Sequence, residues 1–172
     1  MDESEFWSIV GASKAESDGS FEGRAEALAK KLSTLSPDKI AAFERQFMVL
    51  TYKAYSWDLW GAAYVINGGC SDDGFTDFRS WVISMGRDVY ERAVIDPESL
   101  ADIEVGPGGE EDASFEEFAY VAGRVYEEKT GKDLPRDTSL VHPSDPSGEP
   151  FEEDSDALAE RYPRLSAKYG DG

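Results

Sequence analysis

From Tyr52 to Ile66 the chain is apolar on almost every side of a helix, with Tyr55, Leu59, Trp60, Ala62, Ala63, Tyr64, Val65 and Ile66 crowded together. They extend the one-faced stripe of Ile40, Phe43, Phe47, Leu50, Ala54 and Trp57. A helix that is hydrophobic all round has to be enclosed by protein, so this segment is central and the rest of the chain must wall it in. Ser36-Pro37-Asp38 predicts its start, with a hydroxyl cap, a proline at the first helical position and an acid in the first turn. Asn67-Gly68-Gly69 predicts its end, because glycine adopts the left-handed conformation needed just past a helix. Ser71 then caps a second buried helix that runs to Met85, with Phe75, Phe78, Val82 and Met85 on one face, and Gly86 interrupts it. The pattern predicts a buried helical hairpin, Ser36–Ile66 against Ser71–Met85, around which everything else is arranged.

Patterns of period 3.6 recur through the remaining chain and alternating strand patterns do not, which predicts a single all-α domain of about six to eight helices. Glu3–Ala15 carries Phe6, Ile9 and Val10 on one face, and Ser20 caps Phe21–Ser33, whose stripe is Phe21, Ala25, Leu28 and Leu32. Arg87–Ile95 continues as helix, and Asp96-Pro97-Glu98 opens a short turn. Glu104–Ala113, centred on Gly106-Pro107-Gly108-Gly109, predicts an acidic loop. Ser114-Phe-Glu-Glu117 fits a capping box for a helix that stops at Gly131. Beyond Leu134, Pro135, Pro143, Pro146, Pro150 and Pro163 predict an irregular tail draped on the surface, helical only over Asp156–Tyr162. Leu134, Leu140, Val141, Phe151, Leu158, Tyr162 and Leu165 would pin it. The division is a helical core over 1–134 and a Pro/Asp-rich extension over 135–172 packed on that core.

With 172 residues, 40% of them hydrophobic, and four Trp, nine Phe and eight Tyr, the chain can build one sizeable core. No run approaches the ~20 apolar residues of a membrane span, and the acidic start MDESEFW is unlike a secretory signal, so a cytoplasmic location is expected. The single cysteine, Cys70, cannot form an internal disulfide. Thirty-six acids against 17 bases give a net charge of −19, which repels nucleic-acid phosphates and anionic membranes and points to a basic protein as partner. The same charge favours solubility and a monomer. Asp96 to Glu117 holds nine acids and no Lys or Arg, which makes it either a docking surface or a solvated one.

Polar groups concentrate among the aromatics of the predicted hinge, giving the candidate functional cluster Asp58, Trp60, Asp72, Asp73, Asp77, Arg79 and Trp81. Asp73 and Asp77 share a helix face, and Asp72 and Asp58 could face them, so Asp72, Asp73 and Asp77 are the candidate metal ligands, of a type that suits Mg²⁺ or Ca²⁺. The calcium-loop pattern is absent, however, and Arg79 supplies an internal counter-charge, so a buried network of Arg79 with Asp58 or Asp72 accounts for the same residues and no cofactor is required. One Cys and one His are too few for a structural zinc site. Cys70 beside a helix N-terminus would in principle have a lowered thiol pKa, but a small buried cysteine is commoner than a reactive one. His142 could act with Cys70 or Ser71 only if the tail folds back to them. Asn67-Gly68-Gly69 lacks the Gly-Lys-Ser/Thr ending of a phosphate loop. Two function classes follow: a non-enzymatic acidic interaction or regulatory module, or a metal-dependent hydrolase-like enzyme built on Asp58, Asp72, Asp73 and Arg79.

Asp58-Leu-Trp60-Gly-Ala-Ala63, then Asn67-Gly-Gly-Cys-Ser-Asp-Asp73, Phe75 and Phe78-Arg79-Ser-Trp81 together resemble the signature of a bacterial family, domain of unknown function 4240. The likeness continues at Phe6-Trp7, at Tyr126 with Lys129-Thr130-Gly131, and at Arg161-Tyr162-Pro163-Arg164-Leu165. The resemblance implies a compact, mainly helical bacterial domain with no established activity, and it carries over no catalytic residues.

Overall fold

The computed structural model describes residues 1–106 and 112–170. Among these residues the chain forms α1 (Glu3–Glu16), α2 (Phe21–Ser33), α3 (Pro37–Lys53), α4 (Trp57–Asn67), α5 (Asp72–Ser84) and α6 (Arg87–Ile95). A 3-10 helix (Pro97–Asp102), α7 (Glu116–Thr130), α8 (Ser155–Arg161) and α9 (Pro163–Tyr169) follow. The all-α expectation holds, although nine α-helices and a 3-10 helix exceed the six to eight anticipated. Six of the α-helices open on an Asp or Ser whose side chain accepts a first-turn amide: Asp2, Ser20, Ser36, Ser56, Ser71 and Asp154. Gly68 closes α4 and Gly131 closes α7 in the left-handed conformation, at φ 66° and 70°.

The long helix expected over Ser36–Ile66 is two helices. α3 ends at Lys53, the chain turns through Ala54 and Tyr55, and Ser56 caps α4. Breaking a helix strands backbone groups, and here the tail satisfies them: the Ser147 amide donates to Tyr55 O at 3.0 Å, and Trp57 N donates to Ser147 O at 2.9 Å. The turn sends α4 toward α9 and the 3-10 helix, so the predicted hairpin is not the centre of the fold. That position belongs to α7, which packs on α2, α3 and α5. The core holds Phe6 stacked on Phe43 at 4.7 Å, Phe47 beside Phe118 of α7 at 6.0 Å, and the buried Leu28, Leu32, Ile40 and Leu50.

Ser114 is not a helix cap. The residue before α7 is Phe115, whose amide donates to Asp77 O at 3.1 Å while its ring stacks on Phe21 at 4.7 Å, and this anchorage sets the start of the helix one residue later than the sequence motif. Part of the expected acidic loop, residues 107–111, lies outside the described residues. The tail is more ordered than its prolines suggest, because Pro163 occupies the first turn of α9 instead of breaking a helix. Leu158, Tyr162 and Leu165 are buried in the same hydrophobic cluster as the N-terminal helices, whereas Val141, expected to pin the tail, is 80% exposed.

Candidate functional site

The seven hinge residues do not converge on one site. Arg79 is 2% exposed and donates from Nη1 to Thr51 O at 3.0 Å, from Nε to Phe75 O at 3.3 Å and from Nη2 to Thr76 Oγ1 at 3.1 Å. Its guanidinium carbon lies 4.8 Å from the ring centres of both Tyr55 and Phe75. Thr51 O is one of the carbonyls left over at the end of α3, so Arg79 caps that helix from a distance and places its charge at the negative end of the helix dipole. The expected buried network with Asp58 or Asp72 is therefore replaced by carbonyls and ring faces. Asp58 is instead exposed and ion-paired with Arg161, which also holds Glu149 O at 2.8 Å and Pro150 O at 2.9 Å.

Asp72 and Asp73 are exposed in the first turn of α5, where carboxylates suit the helix dipole. Asp77 is half-buried, and burial, with Glu116 and Asp73 nearby, raises its pKa. Trp60 lies between Trp57 (5.2 Å, 8°) and Phe75 (5.0 Å, 9°) in a near-parallel stack and donates to Cys70 O at 2.9 Å. Trp81 is a core residue beside Phe78. Among the described residues no three carboxylate, imidazole or thiol groups are grouped so that they could hold a metal ion. Burial and the charge of Asp77 push the Cys70 thiol up to about 11, as suits a buried cysteine and not a thiol activated by a helix N-terminus. The tail does fold back, but His142 settles against Tyr52 and Tyr55, at 5.0 and 4.7 Å, and makes no hydrogen bond to Cys70 or Ser71.

A concavity lies elsewhere, between α3 and α7, where residues 133–138 and Leu140 close one edge of a groove of about 930 Å³. Glu44, Met48 and Tyr52 line it at helical spacing from α3; Tyr120, Gly123 and Arg124 do so from α7. Gly123 is mid-helix and has no positive φ, and a Cβ added to it would meet nothing within 4 Å. Neither backbone strain nor close packing demands a glycine there, although it weakens the helix by ~1 kcal/mol relative to Ala. Its effect is to leave the floor of the groove bare. Glu44 has no hydrogen bond or ion pair among the described residues, and burial alone pushes its carboxyl up to about 7. The neighbouring arginines are engaged differently: Arg45 holds Asp137 at 2.7 Å and Arg124 holds Glu117 at 3.2 Å.

Sequence reasoning missed this groove. The readable signs were a glycine inside the apolar pattern of α7 and an acid four residues after Ile40, at the edge of the α3 stripe. Among the described residues of the acidic stretch, several carboxylates have partners within the chain. Glu98 accepts the Arg164 and Leu165 amides at 2.8 and 3.1 Å, Asp102 pairs with Arg92 and Arg164, and Glu104 pairs with Lys168 at 3.0 Å.

A family model described as protein of unknown function (DUF4240) matches residues 1–128, and the chain belongs to that family. The match includes α3, α4, α5 and most of α7, whereas the tail edge of the groove and the Arg161–Leu165 stretch lie beyond it. No curated protein and no solved structure matches the chain.

Proposed function

We propose that this member of the DUF4240 family is a non-enzymatic protein-interaction module, and that it receives a segment of a partner in the groove between α3 and α7. The observation that carries this reading is Gly123, a helix-interior glycine that keeps open a space the chain's own side chains do not fill. Side chains from two packed helices with a gap between them suit an extended or helical peptide. Met48, Tyr52 and Tyr120 offer adaptable and aromatic anchors, and Tyr120 is 62% exposed. The charge of −19 favours a basic partner and disfavours nucleic acid and anionic membranes. Among the described residues no helix is long and apolar enough to cross a membrane. A metal-dependent hydrolase at the hinge has less support, since Asp58 is tied to Arg161 and Arg79 is absorbed by the end of α3.

A random-peptide library selected on the wild-type protein tests the proposal. Enriched peptides should bind Gly123→Trp at least about tenfold more weakly, because the indole fills the groove, while its unfolding midpoint stays near that of the wild type. Peptides that bind both proteins equally would place the interaction site elsewhere.

A further inference from the structure

We infer that the groove reads a basic residue of its partner: a Lys or Arg side chain enters over Gly123 and delivers its ammonium or guanidinium to the carboxylate of Glu44. This rests on the groove being a binding site, as proposed above. Glu44 stands apart from the other groove acids, because Asp137 is held by Arg45 and Ser139 while Glu127 and Asp133 are in solvent. A half-buried carboxyl without a partner is disfavoured in either protonation state, and an incoming cation relieves that penalty with a charge-assisted hydrogen bond. Met48 and Leu134 provide apolar surface for the methylene stem, and the aromatic residues Tyr52 and Tyr120 also line the groove, where a ring can attract the charged head.

The charges facing Glu44 come from every wall of the groove. Arg45 on α3, Arg124 on α7 and Arg136 on the tail stand against Glu127 on α7 and Asp133 and Asp137 on the tail, three of each sign. Ionised Glu44 therefore decides the sign of the groove, within a molecule whose overall field already attracts basic segments. His142, its ring on Tyr52, is the imidazole in reach of the same wall. Since burial holds the Glu44 carboxyl at about 7 and a bound cation draws it back down, binding releases a proton and tightens as pH rises.

The probes are two labelled dodecapeptides of Ser and Leu with a single central residue, Lys in one and uncharged norleucine in the other. Each is titrated against the full chain at about pH 6 and about pH 8 in ~0.15 M salt. The lysine peptide should bind about tenfold tighter at the higher pH, following the ionised fraction of a group near 7, and the norleucine peptide should show no change. Glu44→Gln should abolish the pH response while the protein remains folded. Equal binding of the two peptides, or a pH response that survives Glu44→Gln, overturns the inference. If Gly123→Trp still abolishes binding in those cases, the groove stands as the binding site without cation recognition. If Gly123→Trp binds like the wild type, or the wild type binds neither peptide at millimolar concentration, the groove reading fails and the inference with it.

Discussion

Arg79 carries a full charge into the interior, and desolvation opposes it until the Thr51 and Phe75 carbonyls and two ring faces offset the loss of water. Arg79→Ala should destabilise the protein by about 3–5 kcal/mol in urea unfolding, because it strands the end of α3 and opens a cavity between Tyr55 and Phe75. Asp58→Asn and Asp72→Asn should each change stability by under ~1 kcal/mol, as exposed charges do. A loss at Asp72 as large as that at Arg79 would mean that the carboxylate is the true counter-ion. Glu44 gives a prediction of opposite character. Its folded pKa of about 7 exceeds the ordinary 4.5, so the folded state binds the extra proton between those values. Stability is full below about 4.5 and is lost as pH rises through about 7. Glu44→Gln should therefore match the wild type near pH 4 and exceed it by on the order of 2–3 kcal/mol near pH 8.

At the scale of elements, the seam between α4 and the tail is the most constrained contact. Tyr162 donates to Asp58 O at 2.9 Å, and a Cβ on Gly61 would overlap its hydroxyl and lie 2.7 Å from its Cζ. Gly61→Ala should displace that ring and destabilise by about 1–3 kcal/mol, whereas an Ala in an ordinary helix would stabilise. An unfolding midpoint equal to or above that of the wild type would show the seam to be loose. The helix starts at Ser20, Ser36 and Ser71 were legible in the sequence because each cap acts on amides two or three residues away. The break at Ala54–Ser56 was not, since no Gly or Pro marks it and its backbone partners sit on Ser147. The location of Arg79 in the core was readable from its aromatic neighbours, but its partners were not, because the Thr51 carbonyl became available only through that break. The groove is not legible in the sequence for a related reason: 62 residues separate the end of α3 at 53 from the start of α7 at 116, with only a glycine and an acid to mark their facing sides.

For the whole molecule, charge is the dominant variable. The nine ion pairs among the described residues are at or near the surface, where solvent screening leaves each with little net worth, while the excess of acids repels itself throughout. Raising NaCl from ~0.02 to ~0.5 M should therefore raise the melting temperature, and a fall would show that the pairs outweigh the repulsion. The turn between α3 and α4 also sets an order of events in the cell. Its backbone is completed by Ser147, 92 residues after Tyr55. At translation rates of roughly 5–20 residues per second, the elbow waits roughly 5–18 s after its own synthesis for the strand of tail that fixes it. During that interval the apolar run from Tyr55 to Ile66 has neither its angle nor its cover, so nascent chains stalled before Ser147 should be the form that chaperones hold and proteases cut.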